Sequence, residues 1–143
     1  ADLNLVTEEN PRATEDTEMN PETNQVTEQI IGAAIEVHRE LGPGLLESAY
    51  QRALAHELRL RGLAFEEQTP CSVRYKDLLI EDAYRLDFLV KELVVVELKT
   101  VDSLLDVHDA QVLTYLKFTG CHVGLLLNFR STVLTRGLRR LAL

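Results

Sequence analysis

Residues 85–100 read Arg85-Leu86-Asp87-Phe88-Leu89-Val90-Lys91-Glu92-Leu93-Val94-Val95-Val96-Glu97-Leu98-Lys99-Thr100. Two apolar runs flank a short connection, Lys91-Glu92-Leu93, which is the pattern of two strands joined by a tight turn. Val94–Thr100 has the composition of a central strand, yet it carries Glu97 and Lys99. They stand two apart and therefore project from the same face. An exposed ion pair, worth about 0–1 kcal/mol, would account for them. So would a chemically active face.

Asp87 bears on that choice through register. A two-residue loop would pair Asp87 with Val96 and send Asp87 and Glu97 to opposite sides of the sheet. A three-residue loop pairs Val90 with Val94 and Asp87 with Glu97, so that both carboxylates share a face with Lys99. The active-face reading requires the odd loop. Two carboxylates directly opposite, at about 4 Å and an effective dielectric of about 20, repel by about 4 kcal/mol. A cation between them removes that cost. Oxygen donors from two carboxylates, with waters completing the shell, suit Mg2+ or Mn2+. A lysine beside such an ion can stabilise charge on a phosphoryl oxygen, which is the chemistry of phosphodiester hydrolysis.

Upstream, Ile30, Ile31, Ala34, Ile35, Val37 and Leu41 recur at helical spacing from Gln25 onward. Gly42-Pro43-Gly44 ends that helix. A second helix is expected from about Leu45 to Arg61, with Gly62 as its stop. Phe65–Glu67, Cys71–Tyr75, Leu79–Tyr84 and Arg85–Val90 read as strand segments, with a turn at Lys76-Asp77. Downstream, a helix over Val107–Thr119 ends at Gly120, His122–Asn128 is an apolar strand, and Val133–Leu143 is expected to be a short basic helix. The order is ααβ(ββ)βαβ(α), an α/β fold with one mixed sheet flanked by helices.

The net charge of −8 argues against a nucleic-acid-binding protein until its distribution is considered. Residues 1–28 hold eight acidic side chains against Arg12 alone, so the remainder is close to neutral. Residues 1–24 contain no aromatic and few aliphatic residues and are expected to form a disordered acidic tail, with one domain over 25–143. Cys71 and Cys121 have no metal-ligand or disulfide-framework spacing and read as small buried hydrophobes. No apolar run has the length of a membrane span and no secretory signal opens the chain, so a cytoplasmic location is expected.

Asp87 … Glu97-Leu98-Lys99 resembles the Asp … (Asp/Glu)-x-Lys signature of the PD-(D/E)XK nuclease superfamily, with Leu86 where a proline usually precedes the aspartate. Gly44-Leu45-Leu46-Glu47-Ser48-Ala49-Tyr50 looks like the Gly-x-x-Glu-x-x-Tyr segment of the GxxExxY family, a small branch of that superfamily. Ala110-Gln111-Val112-Leu113-Thr114-Tyr115-Leu116 resembles its later helix. The resemblance covers about Ile30 to Leu141. It implies a restriction-endonuclease-like sheet and Mg2+- or Mn2+-dependent cleavage of DNA or RNA. By the same resemblance Asp87, Glu97 and Glu47 would hold the metal, Lys99 would stabilise charge or position water, and Gln111 would orient the neighbourhood. Tyr50, with its hydroxyl on Glu47, and Tyr115 would support the site. Glu47 could equally be a surface helix glutamate, and Gln111 and Tyr115 ordinary surface and core residues. His108 could touch a phosphate, though a capping or solvent-facing role is expected of it, and His38, His56 and His122 show no ligand spacing. Two other classes stay open. One is a catalytically silent module that binds nucleic acid or protein and closes Glu97 onto Lys99. The other is an assembly protein with an exposed apolar face. A homodimer or a protein partner is compatible with all three.

Overall fold

A computed structural model of the chain describes residues 20–143. The acidic segment expected to be disordered lies, through residue 19, outside the described residues. Helix α1 (Pro21–Leu41) starts four residues earlier than the Gln25 expected from the apolar spacing. The reason is local: Asn20 Oδ1 accepts from the backbone N–H of Glu22 (2.9 Å) and Thr23 (3.1 Å), and Pro21 fills a first-turn position that needs no donor. Helix α2 (Glu47–Leu60) turns Tyr50, Leu54, Ala55 and Leu58 inward. The turn between the helices needs glycine at Gly44, whose φ is +109°.

Five strands follow: β1 (Phe65–Tyr75), β2 (Leu78–Val90), β3 (Val94–Lys99), β4 (Val123–Asn128) and β5 (Leu138–Ala142). Helix α3 (Asp106–Thr119) links β3 to β4. The strands lie in sequence order in one sheet, antiparallel throughout except for the parallel β3–β4 pair that α3 bridges. The segments expected as Phe65–Glu67 and Cys71–Tyr75 are one strand interrupted by Gln68, which has φ +51°. Leu79–Tyr84 and Arg85–Val90 likewise merge into β2.

The basic C-terminal helix expected over Val133–Leu143 is instead a short 3-10 turn (Leu134–Gly137) followed by β5, paired antiparallel with β4. Every residue of β4 is buried, so its outer backbone groups need a strand partner rather than water. The side chains agree with period two. Arg139 reaches Asp109 on α3 (2.5 Å) and the carbonyl of Leu104, whereas Arg140 reaches Thr27 and Asn24 on α1. Consecutive arginines thus point to opposite faces.

The sheet separates two cores. Helices α1 and α2 pack on Phe88, Val90, Val94, Val96, Leu98, Leu125 and Leu127. Helix α3 packs on Leu86, Val95 and Leu126. Cys71 and Cys121 are free thiols packed at the margin of the second core, half-buried rather than fully buried. No helix among the described residues is long and apolar enough to cross a membrane.

Gly124 sets how closely α3 approaches. A Cβ there would lie 2.7 Å from a Val112 methyl and 3.5 Å from the Val95 carbonyl. Gly124→Ala should therefore overpack this layer and lower unfolding stability by about 1–3 kcal/mol in urea denaturation. An unchanged midpoint would mean that α3 can withdraw without loss.

Candidate active site

Strands β2 and β3 pair as Val90↔Val94, Leu89↔Val95 and Phe88↔Val96, which makes the loop the three residues Lys91-Glu92-Leu93. The Leu93 N–H closes it on the Val90 carbonyl at 2.9 Å, with Lys91 and Glu92 both at positive φ. This is the odd loop that brings Asp87 to the side of Glu97.

The ladder ends at that point, and Asp87 sits where it ends. In a regular strand Leu86 and Phe88 would share a face. Here Phe88 belongs to the α1/α2 core and Leu86 to the α3 core, so the strand turns over at Asp87. Asp87 Oδ2 accepts the Leu98 N–H at 2.8 Å, taking the place of a backbone acceptor. Its Oδ1 accepts from Gln68 Nε2 at 3.2 Å, and its carbonyl accepts from Gln51 Nε2 at 3.3 Å. Gln51 also donates to Glu67 at 3.1 Å.

Glu97 is 6% exposed and close enough to Asp87 for the charge of one carboxylate to act on the other. Lys99 Nζ stands 3.5 Å from its Oε2, while its Oε1 is buried without a hydrogen-bond partner. Burial, and then the charge of Asp87, push the Glu97 carboxyl up to about 8 against the opposing pull of Lys99. Lys99 opens onto a cleft of about 480 Å³ lined by Val107, His108, Ala110, Gln111 and Thr114. Its far wall is α3. Asn128 Oδ1 accepts the Val101 N–H at 3.1 Å, its Nδ2 donates to the Val101 carbonyl at 2.9 Å, and the Phe129 N–H bonds the Lys99 carbonyl. The chain leaving Lys99 is thereby anchored.

The other residues singled out from sequence surround this centre. Glu47, at the first turn of α2, is exposed as a residue, yet its carboxyl is raised by desolvation and then by Asp87, with Lys99 opposing. It therefore faces the same charges. Tyr50 is fully buried and stacks on Phe129 at 4.7 Å. Its hydroxyl does not bond Glu47: it donates to the Gly42 carbonyl and accepts the Leu45 N–H, clamping the turn that starts α2. Tyr115, one turn along α3 from Gln111, has its hydroxyl raised by burial and then by the charge of Glu97, with Gln111 opposing. Tyr115 stacks on Tyr84 at 4.8 Å. His108 Nδ1 accepts the Leu105 N–H at 2.9 Å, which of the roles open to it is the cap.

Sequence reading passed over Gln68 and Asn128. The break between the strand signals at Glu67 and Cys71 was the only trace of the first. The donor set is all oxygen, which suits a hard divalent cation, and the unpartnered Glu97 Oε1 is an acceptor such an ion would satisfy. Among the described residues no three His, Cys, Asp or Glu side chains converge into a ready-made metal cage. Mg2+ does not need one, because it is commonly held by one or two carboxylates with water and substrate oxygens.

No curated protein and no solved structure matches the chain. A family model described as the PD-(D/E)XK nuclease superfamily matches residues 24–141, a span that runs from the first turn of α1 into β5 and includes Asp87, Glu97 and Lys99. With that match over most of its length, the chain belongs to the PD-(D/E)XK nuclease superfamily.

Proposed function

We propose that the protein is a Mg2+- or Mn2+-dependent nuclease that hydrolyses phosphodiester bonds in DNA or RNA, of the GxxExxY branch. The observation that carries this is the apposition of Asp87 and Glu97 beside Lys99, with the Glu97 Oε1 buried and unpartnered. Gly44 at positive φ, Glu47 facing the charged centre and Tyr50 clamping the turn give each named position of the Gly-x-x-Glu-x-x-Tyr segment a physical role.

Asp87 and Glu97 would hold the cation, with Glu47 reaching it directly or through water. When bound, a divalent cation supplies Lewis-acid stabilisation of phosphoryl charge and a more acidic water. Asp87 is oriented in advance by Leu98 and Gln68. Glu97 Oε1 or Oε2 holds a proton in the metal-free protein and gives it up to become a ligand. Lys99 directs its ammonium toward the cleft, where it stabilises the negative charge that develops on a phosphoryl oxygen. Gln111 lines the opposite wall of that cleft on α3, and Tyr115, one turn further on and stacked on Tyr84, supports that wall. Two free thiols fit a reducing compartment such as the cytoplasm.

The Lys99–Glu97 contact favours a second reading, a catalytically silent module with a closed ion pair. Against it, the pair uses only one Glu97 oxygen. The test is cleavage of mixed single- and double-stranded DNA and RNA with Mg2+ or Mn2+, alongside EDTA and Asp87→Asn. Cleavage lost in both controls supports the nuclease. Nucleic-acid binding with no cleavage under any divalent ion would establish the silent module.

A further inference from the structure

Gln68 occupies a conformation that a glutamine rarely adopts, φ +51° in the middle of a strand. Glycine or asparagine is the usual occupant of such a position. The residue lies across the β1–β2 ladder from Asp87, between the pairs Glu67↔Phe88 and Thr69↔Leu86, where β2 turns over from one core to the other. Its side-chain amide donates to Asp87 Oδ1 at 3.2 Å. On the other side of the same carboxylate the Leu98 N–H takes Oδ2 at 2.8 Å. The two donors hold the carboxylate plane between β1 and β3. Backbone outliers that cost free energy persist where the surrounding structure over-determines them, and they concentrate at functional sites.

We propose that Gln68 is a positioning residue: its left-handed backbone is retained because only that conformation, in a side chain of glutamine's length, delivers an amide to Asp87 Oδ1 and fixes the carboxylate in its ion-binding orientation. This rests on the reading of Asp87 as a metal ligand. The Gln68 NH2 group donates a single bond to Oδ1, so it leaves a lone pair there free for a cation while stopping the carboxylate from rotating onto the Leu98 N–H with both oxygens. Groups that orient ligands in this way commonly change metal affinity 10–100-fold when removed. A residue retained for the fold alone would behave differently, because glycine accepts φ +51° more easily than glutamine does.

The two explanations separate on Gln68→Gly and Gln68→Ala in the full chain, with the melting temperature and calorimetric Mn2+ titration read in parallel. Gln68→Gly should melt at or above the wild-type temperature and bind Mn2+ about 10-fold or more weakly. Gln68→Ala, which keeps the strained backbone and loses the amide, should show the same loss of affinity with a lower melting temperature than Gln68→Gly. A folded Gln68→Gly that binds Mn2+ as tightly as wild type would overturn the role of Gln68 and leave the metal site standing. Absence of Mn2+ binding by the wild-type chain itself would overturn the metal-ligand reading, and this role with it.

Discussion

Lys99→Ala should lower the cleavage rate about 100–1,000-fold while leaving the fold and the metal affinity in place. The magnitude is that of removing one preorganised charge-stabilising donor from a shielded site. Lys99 is well placed for such an effect: its side chain is 18% exposed, it opens onto the cleft beside α3, and its Nζ stands 3.5 Å from Glu97 Oε2. Most of the loss should fall on the rate at saturating substrate, because the charge that Lys99 answers grows in the transition state. Mn2+ affinity should be retained or slightly increased, since the substitution removes a positive charge near the ion. A variant that cleaves at the wild-type rate would remove Lys99 from the chemistry. One that loses Mn2+ binding would show that Lys99 shapes the site rather than the reaction.

How far this arrangement could be read in advance differs from residue to residue. The Asp87–Glu97 register rests on one parity argument about Lys91-Glu92-Leu93, and the observed Val90↔Val94 pairing agrees with it. Periodicity carried the α1, α2 and α3 segments because each buries one face. It failed at the C-terminus, where Leu138, Leu141 and the flanking arginines fit helical and extended spacing alike. The deciding influence there was the need of fully buried β4 for a backbone partner, a tertiary demand that no local pattern contains. It failed again at Asn20, where a side-chain cap extends α1 beyond its apolar stripe. Asp87's neighbours were the hardest to read. That the strand turns over between Leu86 and Phe88, and that Gln68 bends to meet it, depends on contacts across three strands.

Glu97→Gln should stabilise the metal-free protein, and increasingly so as pH rises. In the unfolded chain Glu97 titrates near its ordinary value of 4.5, whereas in the fold it is pushed up to about 8 by burial and by Asp87. Between those values the unfolded state is ionised and the folded state retains the proton. The folded state therefore binds more protons, and stability falls as pH rises from about 4.5 to about 8, then levels off above that. Full development of the difference corresponds to several kcal/mol, about 1.4 kcal/mol for each pH unit between the two values. Glutamine has no such titration and keeps a similar shape, so in EDTA the variant and wild type should be close in stability at pH 5. At pH 9 the variant should lead by about 3–4 kcal/mol. Added Mn2+ should close the gap from the other side, raising the melting temperature of wild type far more than that of Glu97→Gln, because only the carboxylate becomes a charged ligand. Cleavage by the variant should be lost at every pH. Stability profiles that run parallel from pH 5 to pH 9 would mean that Glu97 is not held protonated. The free-energy cost of burying a carboxylate next to Asp87 would then have to be met by the Lys99 ion pair alone, which is the geometry of the silent module. A gap that opens with pH and closes with Mn2+ would show instead that the fold is destabilised at Glu97 in the absence of the ion, as expected of a site selected for what it binds rather than for stability.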